Sequence, residues 1–327
     1  MAMNFWEAQR KARSRTAWYL TIFTILTITV AVGAELAMRV LAEESYDPPL
    51  PYVGMVFLGI TFIVAMFQYG QFRAFGGAFV AESVGGLLVD KRTNSGKERQ
   101  LLNIVEEMSV AASIPIPPVY ILPANEINAF AAGLTPKDAV IAVTAGTLNL
   151  LTRDELQGVV AHEMGHIHNG DMLISMRVAA MVMGFFFVLY IGMRMLQFTN
   201  LESDREERKG GNPLILAAFI LLIAGAFTWF AGSILKSMIS REREYLADAS
   251  SVQFTRNPDG IANALRKIAK EQVHDMPKSG MAYSHMYLED TTLMSALFAT
   301  HPPIEKRIAA IEGRTYIPKD WDIDKKN

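Results

Sequence analysis

The segment Val159-Val160-Ala161-His162-Glu163-Met164-Gly165-His166 sets two imidazoles four residues apart. On a helix, positions four apart lie about 40° apart round the axis, so both rings face one way, one turn apart. That geometry suits two ligands of one metal ion, and Glu163 between them can reach a water held by that ion. A helix carrying two His and a Glu by chance gives the same five letters, so the context has to decide. Thr152, with Glu155 three residues later, forms a capping box at the helix start. The first half of the helix is apolar, and a pair of β-type runs precedes it. This is the setting the metal reading needs.

Two His do not hold a catalytic zinc alone; a third protein ligand is required. The chain has no cysteine, so that ligand is His, Asp or Glu. In Ser240-Arg241-Glu242-Arg243-Glu244-Tyr245-Leu246-Ala247-Asp248, Glu244 and Asp248 are four apart and share a helix face. One can bind the metal while the other accepts the ring N–H of a ligand His. The same spacing fits a solvated, salt-bridged helix equally well. His168 lies about 200° round the helix from the second ligand and is not expected to join the set. His274 and His285 fall in a Met- and Ser-containing stretch, 271–292, read as a loop with surface polar contacts.

The elements that must position these groups follow from periodicity. Between Lys97 and Ser113, Leu101, Leu102, Val105 and Met108 recur at helical spacing, and the Pro115–Pro118 cluster ends that helix. Short β-type runs occupy Val119–Leu122, Asn128–Ala132 and Ala139–Thr144, the last two joined by a turn-rich linker. The Gly pairs at 76–77 and 85–86 match no phosphate-loop spacing and read as close helix packing or a flexible link. No internal repeat is present.

The apolar residues concentrate in long runs. Ala17 to Ala34 and Tyr52 to Tyr69 are each 18 residues without a charge, and Pro213 to Leu235 is 23. Met172 to Leu196 is weaker, with Arg177 and Arg194 bracketing 16 uncharged residues. A bilayer core takes about 20 apolar helical residues, and end-placed arginines snorkel outward. Four spans are expected, near 17–38, 52–70, 173–196 and 213–236. Arg10, Lys11, Arg13 and Arg15 precede the first span while Glu43, Glu44 and Asp47 follow it. The N-terminus and the two polar segments are therefore expected in the cytoplasm. The first span runs on into Glu35, Met38 and Arg39 without a clean cleavage pattern, unlike a signal peptide. Thr21, Thr24 and Thr27 in that span read as bonding within or between helices, and the Met residues of the third as packing or lipid-facing.

The chain of 327 residues is 51% apolar and 20% charged, with net charge −2 and mean hydropathy +0.20. That balance excludes a disordered chain and argues against a nucleic-acid binder. The lack of cysteine excludes a disulfide scaffold and a thiolate metal site.

From about Lys97 to Ile311 the sequence resembles the HtpX-like membrane zinc metallopeptidases, relatives of the CAAX prenyl proteases. The ordered motifs are Asn128-Ala129-Phe130-Ala131, Val140–Thr144, His162-Glu163-Met164-Gly165-His166, Asn169-Gly170-Asp171, Arg243 to Asp248, and His301-Pro302-Pro303 with Arg307-Ile308. Four spans look like HtpX rather than the seven-span CAAX proteases. The resemblance implies a mainly α membrane protein, with four transmembrane helices and a cytoplasmic α+β zincin-type catalytic domain carrying a small β-sheet. It implies one Zn2+ on His162, His166 and Glu244, with Asp248 behind a ligand and His301 near the transition state.

The expected division is 1–71 (N-terminal segment and two spans), 72–171 (first catalytic part), 172–239 (membrane hairpin) and 240–327 (second catalytic part). Glu163 is the expected general base, and the edge Asn128–Gly133, through Asn128, Ala129, Phe130 and Ala131, the expected substrate strand. Partners would be polypeptides, membrane proteins foremost, and the lipid bilayer, with no nucleic acid and a homo-oligomer left open. A zinc endopeptidase of the inner membrane acting in protein quality control competes with a non-catalytic scaffold that keeps the fold. The intact Glu163 favours the enzyme. A narrow CAAX-type processing peptidase has the same chemistry, with too few spans here for an enclosing chamber.

Overall fold

The computed structural model describes residues 5–202, 213–270 and 302–313. Their elements run α1 Phe5–Ala42, a short 3-10 turn at Glu43–Ser45, α2 Tyr52–Ser83, β1 Leu87–Leu88, α3 Gly96–Ala112, β2 Val119–Leu122, β3 Ala129–Ala132 and β4 Val140–Thr144. Then follow α4 Ala145–Leu150, α5 Arg153–Asn169, α6 Asp171–Glu202, α7 Pro213–Thr255, α8 Pro258–Lys270 and α9 Ile304–Ile311. The described residues form two compact units. One takes in Arg13–Ala74 with Ile174–Ile239, the other the described residues up to Ala12, Phe75–Leu173 and the described residues from Ser240 on.

Four helices are long and apolar enough to cross a membrane: Ala17–Ala42, Tyr52–Ser83, Asp171–Phe198 and Pro213–Thr255. In the membrane unit the core gathers on Phe185, which meets Phe23 edge-on at 5.3 Å between centroids and stacks on Phe57 at 6.5 Å. The hydroxyls of Thr21, Thr24 and Thr27 each donate to the carbonyl four residues earlier, at 3.0, 2.9 and 2.8 Å. Their polarity is thereby satisfied within the helix, as a bilayer demands. Glu35, buried, closes the α1–α2 hairpin. Its carboxylate accepts from the first amides of α2, Val53 N at 2.9 Å and Gly54 N at 3.4 Å, and from Arg39 Nε at 2.9 Å.

The catalytic unit is built on a four-stranded sheet in the order β1-β2-β4-β3, with β2 and β4 parallel and both edges antiparallel. One face is covered by helices whose apolar stripes interlock: Leu101, Ile104 and Val105 of α3, Val159, Val160 and Met164 of α5, and Ile261 and Leu265 of α8, against Ile141 and Val143 of β4. α3 starts on the Ser95 hydroxyl, which accepts from Glu98 N, and ends at Ser113 in a left-handed conformation, before the proline cluster is reached.

Two features add detail to the sequence expectation. The helix of the fourth span runs past the apolar run: α7 continues unbroken to Thr255, because no Gly or Pro interrupts 233–255. The Gly pair at 76–77 is a kink with tight packing. Gly76 has φ +62, and a Cβ on Gly77 would stand 2.1 Å from the Ala132 carbonyl oxygen. Gly77 N donates to Asp138 O at 3.0 Å, so this end of α2 lies directly on the β3–β4 hairpin.

Candidate active site

The helix α5 begins as its sequence requires. The Thr152 hydroxyl accepts from Glu155 N, and the Glu155 carboxylate accepts from Thr152 N at 2.7 Å. Both His side chains then fall on one face, with Glu163 buried between them in sequence. α7 crosses close to this helix at Gly165, where a Cβ would meet Ala247 Cα and O at 3.2 Å. The crossing is tied by Ser251 Oγ donating to Gly158 O at 2.7 Å and Asn169 Nδ2 donating to Ser250 Oγ at 3.3 Å. This approach brings Glu244 onto the two imidazoles.

The ligand atoms of His162, His166 and Glu244 all lie within 4.8 Å of one another, the one such group among the described residues. His162 Nε2 stands 3.5 Å from Glu244 Oε2, and His166 Nε2 stands 3.5 Å from Glu244 Oε1. Protein ligands about 2.0–2.2 Å from one tetrahedral zinc are about 3.3–3.6 Å from each other, so the separations fit. The other ring nitrogens are occupied. His162 Nδ1 is 2.9 Å from Asp248 Oδ1, and His166 Nδ1 is 3.0 Å from Asp171 Oδ2. An ionised carboxylate only accepts, so each Nδ1 carries the proton and each Nε2 keeps its lone pair for a metal.

Behind each carboxylate stands a buried arginine. Arg307 of α9 grips Asp248 with both arms, Nε to Oδ2 at 2.9 Å and Nη2 to Oδ1 at 2.7 Å, and its Nη1 lies 3.2 Å from Glu244 Oε2. Arg243 of α7 pairs with the second oxygen of Asp171. The site thus has two parallel chains, His162–Asp248–Arg307 and His166–Asp171–Arg243. Burial works against charge on both imidazoles, yet Asp248 and Glu244 raise the pKa of His162, and Asp171 and Glu244 raise that of His166 well above the usual value. Burial opposes charge on Arg307 too. The carboxylates of Asp248, Glu244 and Glu163 more than offset it and hold the guanidinium protonated.

Of the residues singled out from sequence, His162, Glu163, His166, Glu244 and Asp248 come together. Asn128 immediately precedes β3, and Ala129, Phe130 and Ala131 lie in it, a strand that packs against α5. His301, His274 and His285 lie outside the described residues. His168 turns away, its Nδ1 3.1 Å from Ala112 O and its ring edge-on to Phe254. Sequence reasoning gave no role to Asp171, Arg243 or Arg307, although all three stand in the motifs quoted. An Asp five residues after His166, directly behind a glycine, was the available signal for the first.

The family model for Peptidase family M48 matches residues 95–315. A protease HtpX homolog of Streptococcus uberis is 34% identical over 295 residues, covering 88% of this chain and 94% of that protein. Another, from Caldanaerobacter subterraneus subsp. tengcongensis, is 41% identical over 216 residues, 66% of this chain and 72% of that protein. Among solved structures, S. mikatae Ste24p is similar over 90% of this chain and 66% of its own, at 16% identity and TM-score 0.49. With four helices long and apolar enough to cross a membrane and a buried His-His-Glu site, the chain belongs to Peptidase family M48, as an HtpX-like zinc metalloendopeptidase of the inner membrane with its site on the cytoplasmic side.

Proposed function

We propose that this peptidase hydrolyses misfolded or damaged membrane proteins at the cytoplasmic face, with Glu163 as the general base and β3 as the strand that receives the substrate. The convergence of both Nε2 atoms on Glu244, each ring locked by a carboxylate at Nδ1, carries the reading. Zinc bound by His162, His166 and Glu244 supplies a Lewis acid that polarises the scissile carbonyl and acidifies water. Glu163 accepts the proton of the attacking water and returns it to the leaving amine nitrogen. Asp248 holds His162 in the ligating tautomer. His301, just ahead of Pro302-Pro303 and the helix that carries Arg307, donates to the developing oxyanion.

The substrate reading rests on strand register. Thr144 N donates to Asn128 O, so 128, 130 and 132 bond inward to β4, and Ala129 and Ala131 turn their backbone groups to the outer edge. Among the described residues no strand pairs with that edge. Backbone pairing there is tolerant of side chains, which suits an enzyme with many unfolded substrates. Asn128 Oδ1 accepts from Ala129 N at 2.9 Å and sits at the start of the edge.

The test uses the purified full-length enzyme with an unfolded membrane protein. Wild type cleaves it, and a chelator stops cleavage. Glu163→Gln keeps its zinc by metal analysis and loses turnover. Cleavage by a zinc-loaded Glu163→Gln enzyme would remove Glu163 from the proton transfer. Equal cleavage of folded and unfolded forms would remove the quality-control reading.

A further inference from the structure

Within the membrane unit, α1, α2 and α6 leave between them a groove of about 800 Å³ that the peptidase chemistry does not use. It follows α2 from Leu58 to Tyr69, a length of about 16 Å at the helical rise. The hydrocarbon core of a bilayer is about 30 Å thick, so the groove matches the depth of one leaflet. Its walls are hydrocarbon in effect. The three threonines that line it, Thr24, Thr27 and Thr61, all donate their hydroxyls to carbonyls of their own helices, at 2.9, 2.8 and 2.8 Å.

One end differs. Arg177, exposed, is the sole charged residue lining the groove, and it has no hydrogen bond or ion pair among the described residues. Tyr69 lines the same end. The chain direction puts both at the cytoplasmic ends of their helices: α2 enters the cytoplasm beyond Tyr69, and α6 leaves it just before Arg177. A cation and a phenol at the headgroup level, above an apolar slot one leaflet deep, complement one molecule. It has a negative headgroup and hydrocarbon chains, and the cytoplasmic leaflet is where anionic lipids supply it.

We propose that this groove is a binding site for an anionic phospholipid of the cytoplasmic leaflet, its headgroup on Arg177 and Tyr69 and its chains along α2. A transmembrane segment of a substrate is the less suitable occupant. It would run the full bilayer thickness, whereas the groove covers half, and it would bring backbone and polar side chains to walls whose hydroxyls are already engaged.

The wall itself offers a plug. Gly59 lines the groove, and a Cβ there meets nothing within 4 Å, so a substitution starts into open space. The full-length protein is reconstituted in phosphatidylcholine vesicles with a trace of photoactivatable phosphatidylglycerol or, separately, phosphatidylcholine of the same chains. Labelled positions are read by mass spectrometry, and zinc content and melting temperature are checked for each variant. Wild type should be labelled between 58 and 69 and between 177 and 185, about fivefold more by the anionic lipid, the selectivity one basic residue gives near a membrane surface. Gly59→Trp should lose labelling by both lipids, and Arg177→Gln should keep labelling but lose the preference. If Gly59→Trp does not fold, the surface variant Arg177→Gln decides the matter alone. Equal labelling of wild type by the two lipids, an unchanged preference in Arg177→Gln, or capture of an added apolar transmembrane peptide in place of lipid would overturn the assignment.

Discussion

Asp171 Oδ2 lies 3.0 Å from His166 Nδ1, while its other oxygen is held by Arg243. The contact is local in sequence but not helical: α5 ends at Asn169 with Gly170 as its left-handed cap, and Asp171 opens α6, so the turn brings the carboxylate back beneath the ligand. It does for His166 what Asp248 does for His162. Each ring is oriented by a carboxylate that is itself fixed by a guanidinium, which leaves the metal-facing nitrogens little freedom.

Asp171→Ala should therefore weaken zinc binding while leaving the three ligands in place. Losing such a partner typically lowers metal affinity about 10–100-fold. Competition with a chelator of known strength measures it. Wild-type affinity in a folded Asp171→Ala protein would show that Gly170-Asp171 serves only the turn.

Gly165→Ala tests the helix crossing. The added Cβ would sit 3.0 Å from Ser250 Cβ and 3.2 Å from the Ala247 backbone, and backbone cannot rotate aside. Overpacking of this kind costs about 1–3 kcal/mol. Because Ala247 lies between Glu244 and Asp248, the shift should be felt at both. A lower melting temperature and weaker zinc binding are expected together; a loss of stability with unchanged zinc affinity would uncouple the crossing from the site.

What could be read from the sequence depended on how each contact is generated. His162 and His166 were legible because helical periodicity alone turns a four-residue interval into a shared face. Glu244 was narrowed to a pair because a cysteine-free chain offers few ligand types. The membrane spans needed only run length. Arg243 and Arg307 were not legible: their carboxylate partners lie 72 and 59 residues away, and no periodicity marks a buried charge. β1 is two residues long, too short for alternation to register. The amphipathic stripe of α8, with Ile261, Ala264, Leu265 and Ile268 buried, was present in the sequence but lies beyond the motifs that drew attention.

The start of α5 should confer a pH dependence on stability. Burial works to raise the pKa of Glu155, but hydrogen bonds from Lys267, at 2.6 Å, and from Thr152 outweigh it and lower the value below the ordinary 4.5. A carboxylate with a lower pKa folded than unfolded stabilises the fold above about 4.5, and that contribution is lost as pH falls through the folded value. Gln at 155 still accepts from the Thr152 amide, so Glu155→Gln removes the charge and keeps the cap. Lys267 is partly exposed, which leaves the pair worth about 0.2–1 kcal/mol. The variant should melt lower than wild type at pH 7, and the two curves should converge under acid. A gap that persists at low pH would assign the loss to packing.

Arg307 carries the last prediction. It is 1% exposed and faces two buried carboxylates, Asp248 and Glu244, of which Glu244 also serves the metal. Replacing it with Met leaves those charges without their cation, and breaking a buried pair from one side costs about 3–5 kcal/mol. Zinc brings two positive charges to the same carboxylate, Glu244, and draws on His162, which Asp248 orients. The loss should therefore be larger in the metal-free protein than in the loaded one. Melting of wild type and Arg307→Met, each with zinc and with chelator, reads this directly: the variant should fall in both states, with a wider gap between them. Arg307→Lys restores charge but not the two-armed grip, so it should recover stability only in part. Equal losses with and without zinc would mean that Arg307 supports the packing of α9 and not the charge balance of the metal site.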